Sequence, residues 1–291
     1  MTRQHPNQNA ARMPAPALIP WLVAIAALAA GPALAATVPV LPVFDPAQFT
    51  PGAAIANPYF PVTAGARSTL LAEGVDEAGQ SFVEQGVITG TGAGPTIAGV
   101  ATSTLTDLAY EDGVLVEQTL DYFAQDVAGN VWYMGEDVIN YVYDDDGNLT
   151  GTNSDSSWRA GVNGAQPGYQ MLASLVPGYS YYQEFAEADG ALDQAMILGF
   201  LDMLTVPGGT FSDVLMIFES SSIDSSLREV KYYAPGVGLI RADEGVDADY
   251  RNPALISSLV SMAAVPVPAA LPLLAGALGV LGWLRRRRAA A

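Results

Sequence analysis

What most constrains the fold of this chain is a series of short segments whose residues alternate with a period of two, each ended by a turn-forming pair. Val114, Val116, Leu120, Tyr122 and Ala124 fall on one side of such a segment, and Glu117, Thr119 and Asp121 on the other. Successive side chains of a strand point to opposite faces, so this pattern predicts a half-buried strand. Val131 to Met134 and Val138 to Tyr143 are rich in β-branched and aromatic residues, as strands are. Ala128-Gly129-Asn130, Asp146-Gly147 and Pro235-Gly236 are turn signals. The pattern continues through 181–185, 210–218, 228–233 and 238–243. One stretch is ambiguous: Leu192, Met196, Phe200 and Met203 have helical spacing, whereas Ile197 to Val206 reads as a buried strand. Strands on both sides favour a strand, and Pro207-Gly208-Gly209 ends it. Turns this close together imply antiparallel neighbours. The middle of the chain is therefore expected to be all-β, an antiparallel sandwich or open barrel.

The ends read differently. Arg3 and Arg12 precede an apolar run from Leu18 to Ala30, and Ala33-Leu34-Ala35 supplies a small-x-small pattern with cleavage expected before Ala36. These three parts make a secretory signal peptide over residues 1–35, or, if uncut, an N-terminal anchor helix. Residues 36–66, rich in Pro, Ala and Thr, form an extended lead-in. Residues 67–250 are the β ectodomain and 251–264 a linker. At the far end, Val265-Pro266-Val267-Pro268-Ala269 leads into an apolar run from Leu271 to Leu284, closed by Arg285, Arg286, Arg287 and Arg288. A membrane-spanning helix needs roughly 20 apolar residues, and the arginines would stay cytoplasmic. The order of Pro motif, apolar helix and Arg cluster over residues 265–291 resembles the PEP-CTERM sorting signals, most closely the variant beginning Val-Pro-Leu-Pro-Ala. Val267 departs from it at the third position. The resemblance implies processing by signal peptidase and an exosortase, membrane association through the C-terminal helix, and a place at the cell envelope or outside it. It also implies bacteria that make exopolysaccharide. The alternative is a plain C-terminal anchor.

The middle also resembles a family of secreted bacterial proteins of uncharacterised function. The resemblance rests on Asn57-Pro58-Tyr59-Phe60-Pro61, on Gln125 to Glu136 with its Gly129-Asn130-Val131-Trp132-Tyr133 centre, on Ser157 to Gly168, and on Lys231 to Leu239. It supports one domain over 57–245 and implies no activity.

Charge and composition narrow the chemistry. The net charge is −18, and all 30 acidic residues lie between Asp45 and Asp249. Such a surface repels phosphate backbones, so nucleic acid is not an expected partner. There is no cysteine, and the single histidine, His5, lies in the segment expected to be removed. Disulfides, thiol nucleophiles, Ser-His-Asp triads and the common zinc sites are thereby excluded from the mature chain. Lys231, the one lysine, alternates with Val230 and Tyr232 and is expected to face solvent. Carboxylate pairs of glycosidase type need only two acids on facing walls, which 30 acids could supply by chance. Asp144, Asp146 and Asn148 resemble the start of a calcium loop, but position 155 is Asp where the bidentate Glu should stand. The alternative is a hairpin tip turning on Asp146-Gly147. Trp132, Tyr133, Tyr141, Tyr143, Trp158, Tyr181, Tyr182, Tyr232 and Tyr233 would suit sugar stacking if exposed, and core packing if not.

The expected protein is thus a non-enzymatic surface or matrix component associated with exopolysaccharide, with no catalytic residue and no cofactor beyond weak calcium. A carboxylate-based polysaccharide hydrolase and a calcium-dependent adhesion or glycan-binding module are the alternatives. A hydrolase should show a cleft with facing acids, and a structural or binding module a filled core.

Overall fold

A computed structural model describes residues 38–76 and 78–263. The signal segment with Ala33, Ala35 and Ala36, and the tail from Val265 to Arg288, lie outside the described residues. Among the described residues no helix is long and apolar enough to cross a membrane.

Nearly all the regular structure of the described chain is strand. The first group is β1 (Arg67–Val75), β2 (Ser81–Ile97), β3 (Val100–Glu111), β4 (Val114–Gln125) and β5 (Val131–Tyr143). Short pieces follow: β6 (Leu149–Asn153), β7 (Trp158–Arg159), β8 (Gln166–Met171), β9 (Ser180–Tyr182) and β10 (Glu184–Phe185). The last group is β11 (Asp193–Val206), β12 (Gly209–Ser221), β13 (Arg228–Ala234), β14 (Gly238–Glu244) and β15 (Leu255–Ala263). The ambiguous stretch is strand, as its neighbours suggested.

All these strands belong to one antiparallel sheet, running β10-β8-β5-β4-β3-β2-β1-β15-β14-β13-β12-β11-β9, with β6 and β7 beside β5. Its two ends are halves of a single extended segment. Ser180–Tyr182 pairs with β11, and Glu184–Phe185 pairs with β8. The segment changes partner at Gln183, whose backbone N–H still donates to the Asp193 carbonyl. A sheet whose two edges share one segment is a nearly closed barrel, not a sandwich. Bulges along β2–β3, β3–β4, β4–β5 and β13–β14 supply the bending that closure requires. Closure also depends on Gly168, because a Cβ there would sit 2.1 Å from the Tyr182 carbonyl oxygen.

Val131–Met134 and Val138–Tyr143 are parts of one strand, β5, bent at Gly135. That residue has φ of 139°, and a Cβ on it would lie 2.5 Å from the Trp158 carbonyl oxygen. Residues 251–264, expected as a linker, supply β15, which pairs with both β1 and β14. The run Leu255 to Ala263 contains no Gly or Pro to stop a strand, and the sheet needs it to join its two halves.

The larger surprise is which face is inside. A half-buried strand ordinarily turns its acids to water. In β4 the acids Glu117 and Asp121 point with Phe123 into the barrel, and the opposite face is covered from outside. There Tyr122 and Ala124 pack with Trp132, Trp158, Phe44 and Phe49. The lead-in is therefore more than a tether. Phe44 and Phe49 meet the Trp132 ring edge-on at 5.6 and 5.9 Å. Further along, Ile55 to Val62 folds over one end of the barrel and puts Phe60 against Phe123 at 4.9 Å. Asn57 pins this cap by donating to the carbonyls of Gly129 and Leu172. The Gln125 side chain accepts from the N–H groups of Ala56 and Asn57.

Candidate binding site in the barrel lumen

Inward positions change character along each strand. At the capped end they are apolar: Phe123, Ile197, Leu215, Ile217 and Tyr233 pack with Ile55, Val131 and Met171. Two residues further along the same strands they become ionisable. Phe123 gives way to Asp121, Leu105 to Asp107, Ala195 to Asp193, Ile217 to Glu219, and Tyr233 to Lys231. The period of two keeps all of them on one face. The result is a chamber of about 610 Å³ with Phe60, Leu105 and Leu239 at its apolar end and carboxyls around its walls.

Two polar clusters line it. In the first, Lys231 Nζ lies 2.6 Å from Glu219 and 3.0 Å from Glu229. Gln183 donates to the same Glu219 at 3.0 Å. Burial opposes the Lys231 charge, but the two glutamates outweigh it and hold the ammonium protonated well above its usual range. This corrects the expectation that Lys231 faces solvent: its side chain is only 24% exposed. The strand alternation placed it correctly opposite Val230 and Tyr232 but could not say which face is interior.

In the second cluster, the Tyr133 hydroxyl donates to Asp121 Oδ1 at 2.5 Å and lies 2.8 Å from Glu136 Oε2. One phenol carries one proton, so both contacts are hydrogen bonds only if a carboxyl is also protonated. Burial and the neighbouring Asp107 and Glu117 push Asp121 up to about 7 despite the tyrosine bond. Burial and Asp121 push Glu136 up to about 8. Burial and Glu117 raise Asp107 to about 6.

Glu184 stands out among these groups. It is 6% exposed, faces the chamber, and its Oε2 has no hydrogen-bond partner. Burial, Glu136 and Asp193 all raise its pKa. The Trp158 indole favours its charged form, yet Trp158 Nε1 closes no hydrogen bond either. Glu184 is turned inward beside Gln183 at the point where the closing segment changes partner. It pairs there with Pro167, which has no N–H to offer.

The proposed calcium residues are elsewhere. Asp144, Asp146 and Asn148 form the exposed tip between β5 and β6. Asp144 Oδ1 accepts from the N–H groups of Asp146 and Asn148 at 3.1 and 2.8 Å. These bonds and the Asn148 amide hold its carboxyl below the usual range. The tip is thus a hairpin turn that uses its own carboxylate, and no group of three or more acids suited to a metal occurs among the described residues. Of the aromatic residues, Trp132, Trp158, Tyr181 and Tyr233 are buried, so they form no exposed stacking row.

Sequence reasoning passed over Asp121, Glu136 and Glu184 as site residues and named Tyr133 only among aromatics that would suit sugar stacking. The signal that could have found Asp121 is its place with Glu117 and Phe123 on one face of β4. That signal becomes informative only once that face is known to be interior.

No described protein family matches this sequence, and no curated protein resembles it at a significant level. Among solved structures, a protein of Parabacteroides distasonis provisionally described as a lipoprotein aligns over 70% of this chain and 98% of its own, at 15% identity and a TM-score of 0.32. A similarity that slight does not establish a shared topology.

Proposed function

We propose that the chain is an exported envelope protein whose barrel binds a small molecule in its lumen without transforming it. The observation that carries this reading is the chamber itself. Small-molecule sites typically enclose about 300–1,000 Å³ and combine an apolar surface with a few convergent polar groups. A space of about 610 Å³ with one apolar end and an acidic wall fits that description. The sequence patterns at the two ends support export and exosortase-dependent sorting, and through them an association with exopolysaccharide. Because Phe60 and the cap close one end, the chamber suits a small component or a chain terminus better than a running polymer.

Calorimetric melting against a panel of mono- and disaccharides, amino sugars and amines tests the binding reading. A bound compound raises the melting temperature, and Ser68→Tyr, which fills the chamber, removes the rise. The intact mass of the mature protein, with and without the host exosortase, tests the sorting reading. Loss of residues 1–35 and of the helix after Pro268 supports it, whereas a tail retained in both strains makes that tail a plain anchor.

A carboxylate hydrolase keeps one observation in its favour: the lumen is open and its acids face one another. Against it, the Tyr133 hydroxyl already fills the gap between Asp121 and Glu136, where a glycosidic oxygen would have to sit. Release of reducing ends from exopolysaccharide that disappears in both Asp121→Asn and Glu136→Gln would establish hydrolysis.

A further inference from the structure

We infer that the ligand of the lumen is an organic cation, an amine or guanidinium compound whose N–H donors bond Glu184 Oε2 and the Asp121–Tyr133–Glu136 seat. This rests on the reading of the lumen as a binding chamber and adds the chemical class of its occupant.

The first support is the orphaned oxygen. A buried acceptor without a donor costs about 1–3 kcal/mol, more if charged, so native structures rarely leave one. Glu184 Oε2 is such an acceptor, on a residue 6% exposed and turned into the chamber: the neighbouring Trp158 indole N–H closes no bond to it, and Asp193 can bond Glu184 only while one of the two acids is protonated. A ligand N–H would satisfy it.

The second support is the charge balance of the wall. Asp107, Asp121, Glu136, Glu184 and Asp193 all line the chamber. Among the described residues, the one cationic side chain lining it is Lys231, which Glu219 and Glu229 already occupy. The wall therefore has acceptors in excess of donors. A neutral sugar would bring hydroxyl donors but no charge, and could not compensate the wall carboxyls as they ionise with rising pH. An ammonium or guanidinium supplies both. A bare metal ion is the poorer fit, because the acids are spread around the barrel on different strands and no metal-sized group of three forms among the described residues.

Proton exchange follows. Glu184 faces Glu136, Asp193 and Asp121, and Asp121 in turn faces Asp107, Glu117, Tyr133 and the Lys231 ammonium. Burial and mutual repulsion raise the pKa of Glu184, Glu136, Asp193, Asp121 and Asp107, so that these carboxyls hold their protons to higher pH than free acids do. When a cation enters, an acid gives up its proton to solvent and the carboxylate formed pairs with the ligand's charge. Binding should release protons and strengthen as pH rises from 6 to 8.

The test is titration calorimetry on the full chain with spermidine, and with maltose as a neutral probe of comparable reach. Salt is kept at about 0.15 M to screen the acidic exterior. Expected are saturable binding of spermidine, an apparent enthalpy that changes with buffer in the sense of proton release, and at least tenfold tighter binding at pH 8 than at pH 6. Glu184→Gln should weaken it at least tenfold while retaining the parental melting profile, and Ser68→Tyr should abolish it. Maltose binding as well as spermidine, with no proton release, would overturn the cation and leave the binding chamber standing. Spermidine binding unaffected by both substitutions would place it on the outer surface and overturn the inference. Failure of both probes would overturn it together with the small-ligand reading.

Discussion

Asp107→Asn isolates one inward carboxyl from its neighbours. Asp107 sits on β3 opposite Ile88 of β2 and Thr119 of β4, so it is held in the sheet on both sides. Burial first, and the Glu117 charge second, raise its pKa from an ordinary 3.8 to about 6, against the opposing pull of Lys231 and the Leu108 backbone. A carboxyl raised in the folded state favours folding when protonated. Its contribution is complete below 3.8 and is lost as pH rises through 6. At about 1.4 kcal/mol per pH unit the loss comes to about 3 kcal/mol, most of it between pH 4 and 7. Asparagine keeps the shape of the protonated acid and does not titrate. Urea unfolding followed by tryptophan fluorescence, at half-unit steps from pH 4 to 8, should therefore show the parental protein losing stability relative to the variant by about 2–3 kcal/mol across that range. The remaining pH slope should persist in the variant, because Asp121 at about 7 and Glu136 at about 8 titrate above it. It should be shallower, since removing Asp107 also removes a charge that repels Asp121. Parallel stability curves for the two proteins, or a parental curve that rises toward pH 8, would refute a buried and proton-holding Asp107.

Other perturbations test other parts of the architecture. Lys231→Met leaves Glu219 and Glu229 facing each other without their cation and should cost about 3–5 kcal/mol. A thermal scan would show this as a melting temperature lower by roughly 6–20 °C for a domain of this size. Gly168→Ala drives a Cβ into the Tyr182 carbonyl. It should cost about 1–3 kcal/mol, and hydrogen exchange should accelerate first in the amides of 180–185, where the barrel closes. Tyr133→Phe removes the hydroxyl shared by Asp121 and Glu136 and should cost about 1–3 kcal/mol at pH 7. Calcium at millimolar concentration should leave the melting temperature unchanged, because Asp144 spends its carboxylate on its own turn. A rise reversed by chelator would show that the hairpin tip gives up those bonds to the ion.

The strands and turns were legible because they are local. Asp126 to Asn130, Asp144 to Asn148 and Ala234 to Gly238 close hairpins where Gly and Asn allow the chain to reverse. The alternation in β4 and β13 was read with the correct period. What it could not reveal is the side that faces inward, since period two divides a strand into two faces without saying which is covered. That choice depends on residues far away in sequence: Phe44 and Phe49 of the lead-in cover the apolar face of β4 and β5 from outside, and β11 to β13 stand across the lumen from the acidic face. Lys231 was misplaced for the same reason, and Glu184 was invisible because its inward turn exists only where the closing segment exchanges one partner for another.

By itself the sequence determined an antiparallel all-β chain, the positions of its hairpins, and an acidic middle without cysteine or usable histidine. Periodicity, turn chemistry and composition are properties of neighbours along the chain. Only the tertiary structure decided that the sheet meets itself at Gln183, that β15 joins its halves, and that its acids line a chamber. Closure and interior are properties of residues that meet across the barrel, and the partner a strand finds there fixes which of its two faces is kept from water.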